Sequence, residues 1–137
     1  MKKVDKLLEN GVCVFVYGTL KRGGRLNGHL DPSQSEFIGE GTLSSEYSMY
    51  VPDVSGWFPM LAKENTSLKC KGEVFLVSPA ILRQLDRVEG VPSLYKREEV
   101  GVTMGNGDVL EAYTYIYNNT IPEGFVKSDT FNINVKK

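Results

Sequence analysis

Apolar positions along this chain fall mostly in short blocks, and blocks of that length predict strands. Six runs rich in Val, Phe, Tyr and Ile stand out, at residues 12–17, 36–43, 58–63, 70–77, 95–103 and 109–117. Gly105-Asn106-Gly107-Asp108 lies between the last two. Glycine and asparagine reach positive φ cheaply, so this stretch predicts a hairpin turn. In the final run Leu110, Ala112, Thr114 and Ile116 alternate with Tyr113, Tyr115 and Tyr117, which puts the two sets on opposite faces. The tyrosine stripe reads as core or barrel lining in preference to a ligand platform.

One segment changes period. Ile81, Leu82, Leu85 and Val88 recur at helical spacing. They follow Ser78, a good N-cap, and Pro79, whose missing N–H costs nothing at a first helical position. Gly90 is placed to close the helix in a left-handed cap, and Pro92 prevents its continuation. A second short helix is expected over Leu26 to Leu30. Six strands with few helices predict an α+β domain whose sheet curls or closes. With no internal repeat, low-complexity tract or linker-like shift, residues 1–137 read as a single domain, with 1–11 as an N-terminal extension.

Composition narrows the function classes. Sixteen basic against seventeen acidic residues leave a net charge of −1, so nothing in bulk favours nucleic acid or anionic lipid as a partner. MKKVDKLLENG lacks the roughly 7–15-residue apolar stretch of a signal peptide. The apolar run Val12 to Tyr17 is far too short to span a bilayer. A soluble, cytoplasmic protein without membrane contact is expected. Cys13 and Cys70 then read as buried thiols in place of a disulfide. The chain has one histidine, His29, and no Cys/His cluster at ligand spacing, which argues against a metal site. Lys21, Arg22 and Arg25 read as a solvated basic loop.

Candidate chemistry begins at CVFVYGTLKRGG, residues 13–24, where a strand turns sharply. Gly18 and Gly23 have the spacing of a phosphate loop, but Gly24-Arg25 follows where a lysine and a hydroxyl residue are needed. Two readings stay open. Gly18 lends the turn its dihedral freedom and lets consecutive N–H groups converge on an anion, or the turn is an ordinary tight one. The second stretch is LDRVEGVPSLYKR, residues 85–97. Glu89 falls at the helix C-terminus, where the macrodipole disfavours a carboxylate by ~0.3–1 kcal/mol. In an apolar pocket, desolvation and dipole together would raise its pKa towards that of a general base; otherwise it is a frayed surface glutamate. Glu73 reads as a partner for Arg97 or a turn N–H, Trp57 as packing beside Phe58, and Asp86 as facing solvent.

Taken together, these stretches resemble the γ-glutamylcyclotransferase-like family, which includes γ-glutamylamine cyclotransferases and AIG2-like proteins. The resemblance rests on Phe15-Val16-Tyr17-Gly18-Thr19-Leu20-Lys21, then Phe58-Pro59, then Gly72-Glu73-Val74-Phe75. It continues in order through Leu85-Asp86, Glu89-Gly90, Tyr95, Arg97, Ala112 and Tyr115. The chain departs from the family at its end, where Ser128-Asp129-Thr130-Phe131 stands for the Ser-Gly-Asp-Trp of many relatives; the tail is expected to bear on the pocket rim and so on substrate choice.

The resemblance implies a small mixed β-barrel flanked by helices, and an enzyme of acyltransferase or lyase type that releases 5-oxoproline from a γ-glutamyl amine or amino acid. Tyr17, Gly18, Thr19 and Leu20 would hold the γ-glutamyl group, Tyr115 would line the pocket, and Glu89 would be the catalytic acid/base. Such a substrate carries its own nucleophile, the α-amine, so a base to take its proton and a grip on the α-carboxylate suffice. No metal or cofactor is implied. A module of the same fold that binds a small carboxylate or other anion without turning it over is the alternative.

Overall fold

The structure, a computed structural model, describes residues 10–52 and 58–131. Most of the expected N-terminal extension, together with Trp57, lies outside the described residues. Eight strands and one α-helix are described in full. They run β1 (Val12–Val16), β2 (Ser35–Leu43), β3 (Tyr47–Pro52), β4 (Met60–Lys63), β5 (Lys71–Val77), α1 (Pro79–Val88), β6 (Tyr95–Met104), β7 (Val109–Tyr117) and β8 (Phe125–Ser128).

Five strands close a barrel in the order β1-β5-β2-β6-β7, and β4-β3-β8 form a separate three-stranded sheet. Every barrel seam is antiparallel except the one that shuts it, where β7 lies parallel to β1 with Tyr113 beside Val14. The mixed β-barrel with a helix against it is therefore present. Strand alternation sorts the core into two clusters. Val14, Val16, Phe75, Val77, Tyr95 and Tyr115 pack with Ile81 and Leu85 of α1. Phe15, Tyr17, Val74, Val100, Val102, Ala112 and Ile116 pack with Met49 of β3 and Leu61 of β4. Truncating a side chain as buried as Leu85 costs about 2–5 kcal/mol, so α1 is fixed to the barrel by a few such anchors.

The local signals at α1 and the β6–β7 turn are realised. The Ser78 hydroxyl accepts from the Ile81 N–H at 3.2 Å and Pro79 opens the helix. Gly107, at φ +94°, turns β6 into β7. Other expectations need correction. Leu26 to Leu30 holds only a 3-10 turn, Asn27–His29, because Gly28 interrupts it and Asp31-Pro32 follows at once. Strands β3 and β8 add to the six expected. The tyrosine stripe of β7 is split: Tyr115 and Tyr117 join the helix-side cluster, while Tyr113 lies under the Arg97 guanidinium at 4.8 Å. Cys13 and Cys70 are free thiols, and burial pushes the Cys70 thiol up to about 12. No helix of the described residues is long and apolar enough to cross a membrane.

Candidate active site

At the end of β1 the chain folds back on itself through a set of carbonyl contacts. The Gly18 carbonyl accepts from Lys21 N–H at 3.0 Å, that of Thr19 from Leu26 N–H at 3.0 Å, and that of Lys21 from Gly24 N–H at 2.8 Å. The Leu20 carbonyl accepts from the Asn27 side-chain amide at 2.9 Å. The carbonyls are thus spoken for, whereas the N–H groups of Gly18, Thr19 and Leu20 meet no protein acceptor among the described residues. Three such N–H groups in a row at a cavity wall make an anion site chemically reasonable.

The reason for glycine at position 18 differs from the one the sequence suggests. Its φ is not positive. A Cβ there would sit 2.7 Å from Pro59 Cγ and 2.9 Å from Pro59 Cδ. Glycine is needed because Pro59 closes against the turn, and the dihedral argument fails.

Across from the turn stands Glu89, the C-cap of α1. Gly90, at φ +69°, returns its N–H to the Arg87 carbonyl at 3.1 Å, and Val91 donates to the Asp86 carbonyl at 3.0 Å. This is a Schellman closure, and it satisfies the Asp86 and Arg87 carbonyls at the helix end. Burial raises the Glu89 carboxyl to about 7. No side-chain hydrogen bond or ion pair to Glu89 occurs among the described residues. Its charge in turn helps push up the phenols of Tyr17, Tyr95 and Tyr115, after the larger effect of their own burial.

Those three tyrosines are locked in place through their hydroxyls. Tyr17 donates to the Tyr115 carbonyl at 2.6 Å and Tyr95 to the Pro59 carbonyl at 2.9 Å. Tyr115 donates to Asp86 Oδ1 at 2.8 Å, while Arg97 Nη1 holds Asp86 Oδ2 at 2.8 Å. Asp86 is therefore not a solvent-facing helix residue; it ties α1 to β6 and β7. Glu73 takes the Arg22 N–H at 2.8 Å and Arg22 Nε at 3.3 Å, so the turn N–H reading holds and Arg97 pairs elsewhere.

All six residues singled out by sequence meet at one place. Tyr17, Gly18, Thr19, Leu20, Glu89 and Tyr115 line a single cavity of about 180 Å³. Tyr115 contributes to the wall with its hydroxyl already given to Asp86. Sequence reasoning missed Pro59 as the partner of Gly18, and Arg25, which lines the same cavity and was grouped with a solvated loop. That basic loop is in fact divided: Lys21 Nζ donates to the Phe131 carbonyl at 2.9 Å, and the Arg22 guanidinium covers the Phe37 ring at 3.7 Å. The tail also sits differently from expectation. Residues 128–131 do not line this cavity; Asp129 instead pairs with Lys71 at 3.5 Å. Among the described residues no group of three or more His, Cys, Asp or Glu could hold a metal ion.

Comparison with known proteins shows what the chain as a whole resembles. Residues 14–131 match the family described as gamma-glutamyl cyclotransferase, AIG2-like. The chain is 31% identical over 128 residues to gamma-glutamylaminecyclotransferase A of Danio rerio, covering 89% of this chain and 78% of that protein. It is 30% identical over 121 residues to the gamma-glutamylaminecyclotransferase of Rattus norvegicus, covering 80% of each. The crystal structure of an AIG2-like protein from Mus musculus shares the fold with a TM-score of 0.77 at 27% identity, over 90% of this chain and 89% of that one.

Proposed function

The chain belongs to the gamma-glutamyl cyclotransferase, AIG2-like family, and from that premise we propose that it releases 5-oxoproline from a γ-glutamyl amine or γ-glutamyl amino acid. Family membership and the relatives' names carry the coarser statement, a cyclotransferase enzyme acting on γ-glutamyl small molecules. The finer one rests on a single observation. A carboxyl raised to about 7 shares a small cavity with three backbone N–H groups that meet no acceptor among the described residues.

In this reading the N–H groups of Gly18, Thr19 and Leu20 receive the α-carboxylate. Glu89, as carboxylate, takes a proton from the α-ammonium. The freed amine attacks the γ-carbonyl to form the five-membered ring, the same carboxyl returns that proton to the departing nitrogen as the old C–N bond breaks, and the ring nitrogen's second surplus proton leaves with the amine, which departs as an ammonium. A group titrating near neutrality is divided between its two forms at pH 7 and so serves both steps. The locked tyrosines supply a wall that does not rearrange, which favours the folded-back substrate rotamer. A non-catalytic carboxylate binder would gain nothing from an acid held in this state. The free thiols suit a reducing compartment such as the cytoplasm.

The test is to incubate the protein with a panel of γ-glutamyl compounds and follow 5-oxoproline by mass spectrometry. Ring product from at least one compound is expected. Hydrolysis to free glutamate, or no product at all, would overturn the reading.

A further inference from the structure

We propose that Arg25 reads the leaving group and selects γ-glutamyl amino acids, whose departing amine bears a carboxylate, over γ-glutamyl alkylamines. The inference rests on the cyclotransferase reading above and concerns the same cavity. Its starting point is a count of charges. Tyrosines aside, Glu89 and Arg25 are the two ionisable residues on the cavity wall among the described residues. The γ-glutamyl part of a substrate has two charged groups, an α-ammonium and an α-carboxylate. Glu89 answers the first and the three N–H groups of the turn answer the second. A guanidinium is left over, and its complement is an anion on the rest of the substrate.

Arg25 is free to take that role where its neighbours are not. Lys21 is engaged with the Phe131 carbonyl, and Arg22 with Glu73, Glu40 and the Phe37 ring. Arg25 has no ion pair, side-chain hydrogen bond or ring contact among the described residues. It is also held at the wall from both sides. The Leu26 N–H donates to the Thr19 carbonyl at 3.0 Å. Gly24 packs so closely on that same carbonyl that any side chain there would collide with it. The backbone flanking Arg25 is thus fastened to the turn that would hold the α-carboxylate, while the side chain itself is exposed. The guanidinium is thus a cation without a protein partner among the described residues, on the wall of a cavity whose other charge-binding groups are already assigned to the γ-glutamyl part.

The experiment compares γ-glutamylalanine with γ-glutamylethylamide, which share the γ-glutamyl part and differ at the leaving amine by one carboxylate. The wild-type protein should favour γ-glutamylalanine in kcat/KM by about tenfold or more, as one charge-assisted contact allows. Raising ionic strength should shrink that preference. Arg25→Gln should cut the ratio by about tenfold, chiefly through KM, and Arg25→Lys should keep part of it. Equal losses on both substrates would assign Arg25 to the shared α-carboxylate or to the fold and overturn the proposal. So would an unchanged ratio in Arg25→Gln, or a wild-type preference for the ethylamide. Absence of 5-oxoproline from both substrates with the wild-type protein would remove the cyclotransferase reading itself, and the proposal with it.

Discussion

Replacing Glu89 by glutamine should stabilise the protein at the same pH at which it abolishes turnover. The carboxyl sits at about 7 in the folded chain against an ordinary value of 4.5. Below the lower figure it is neutral in both folded and unfolded chains and has no effect on their balance. Between the two figures the unfolded chain releases its proton while the folded chain retains it, so stability falls as pH rises. Above the higher figure both forms are ionised and the loss is complete. Because the folded value is the raised one, the stabilising form is the protonated one, present at low pH and lost through pH 7. At ~1.36 kcal/mol per pH unit, a window from 4.5 to about 7 corresponds to on the order of 3 kcal/mol. Glutamine never ionises, so the variant escapes this loss. Other titrating groups are common to both proteins and cancel in the difference. Urea denaturation of both proteins at pH 4.5, 6 and 8 measures it. The variant's advantage should grow with pH towards ~3 kcal/mol, while 5-oxoproline formation drops by ~10²–10⁴-fold or more. Parallel stability profiles would show that burial does not govern this carboxyl. A variant less stable at pH 8 would make Glu89 a structural partner, and the assignment of a base would fail.

Two further outcomes follow from the same geometry. The acid limb of kcat/KM against pH should fall near 7, reporting the raised Glu89 carboxyl; a limb near 4.5 in steady-state rates with chemistry limiting would refute the claim that the buried carboxyl is the base. Gly18→Ala drives a methyl to 2.7 Å from Pro59 Cγ, an overpacking of ~1–3 kcal/mol that moves either the proline or the turn, so kcat/KM should fall. In a Pro59→Ala background the same substitution should cost clearly less, and equal costs in a double-mutant cycle would refute the steric account.

How much of this was legible in the sequence divides along local and non-local lines. The helix could be read because its start and stop are written within a few residues, at Ser78-Pro79 and Gly90. The barrel strands could be read from contiguous apolar runs. Strand β3, with serine and proline in Tyr47–Pro52, and the exposed β8 lack such runs; they form by pairing across their sheet, Tyr50 of β3 lying against Met60 of β4 and Lys127 of β8. The site followed the same rule. Glu89 stood out against a helix end, and the Tyr17–Leu20 turn stood out after a strand. Asp86 was misread because its partners Tyr115 and Arg97 arrive from two other strands. Arg25 was hidden in a basic cluster whose members look alike until Phe131, Glu73 and Phe37 claim the other two. Gly18 was given the wrong reason because Pro59, its neighbour in space, is remote in the chain.

The parallel seam between β1 and β7 has a consequence for when function arises. Phe15 and Tyr17 are joined to Thr114 and Tyr115 by bonds spanning 99 and 98 residues, and each belongs to the wall of the cavity or to the strand beneath it. A chain being synthesised therefore carries its turn, and later its Glu89, before the strand that completes the cavity wall exists. The enclosure appears only when β7, the last barrel strand to be made, pairs with the first. Contacts this distant form slowly and only with the rest of the barrel in place. Under the proposed assignment, the wall that would house the chemistry is complete only in a chain whose barrel has closed.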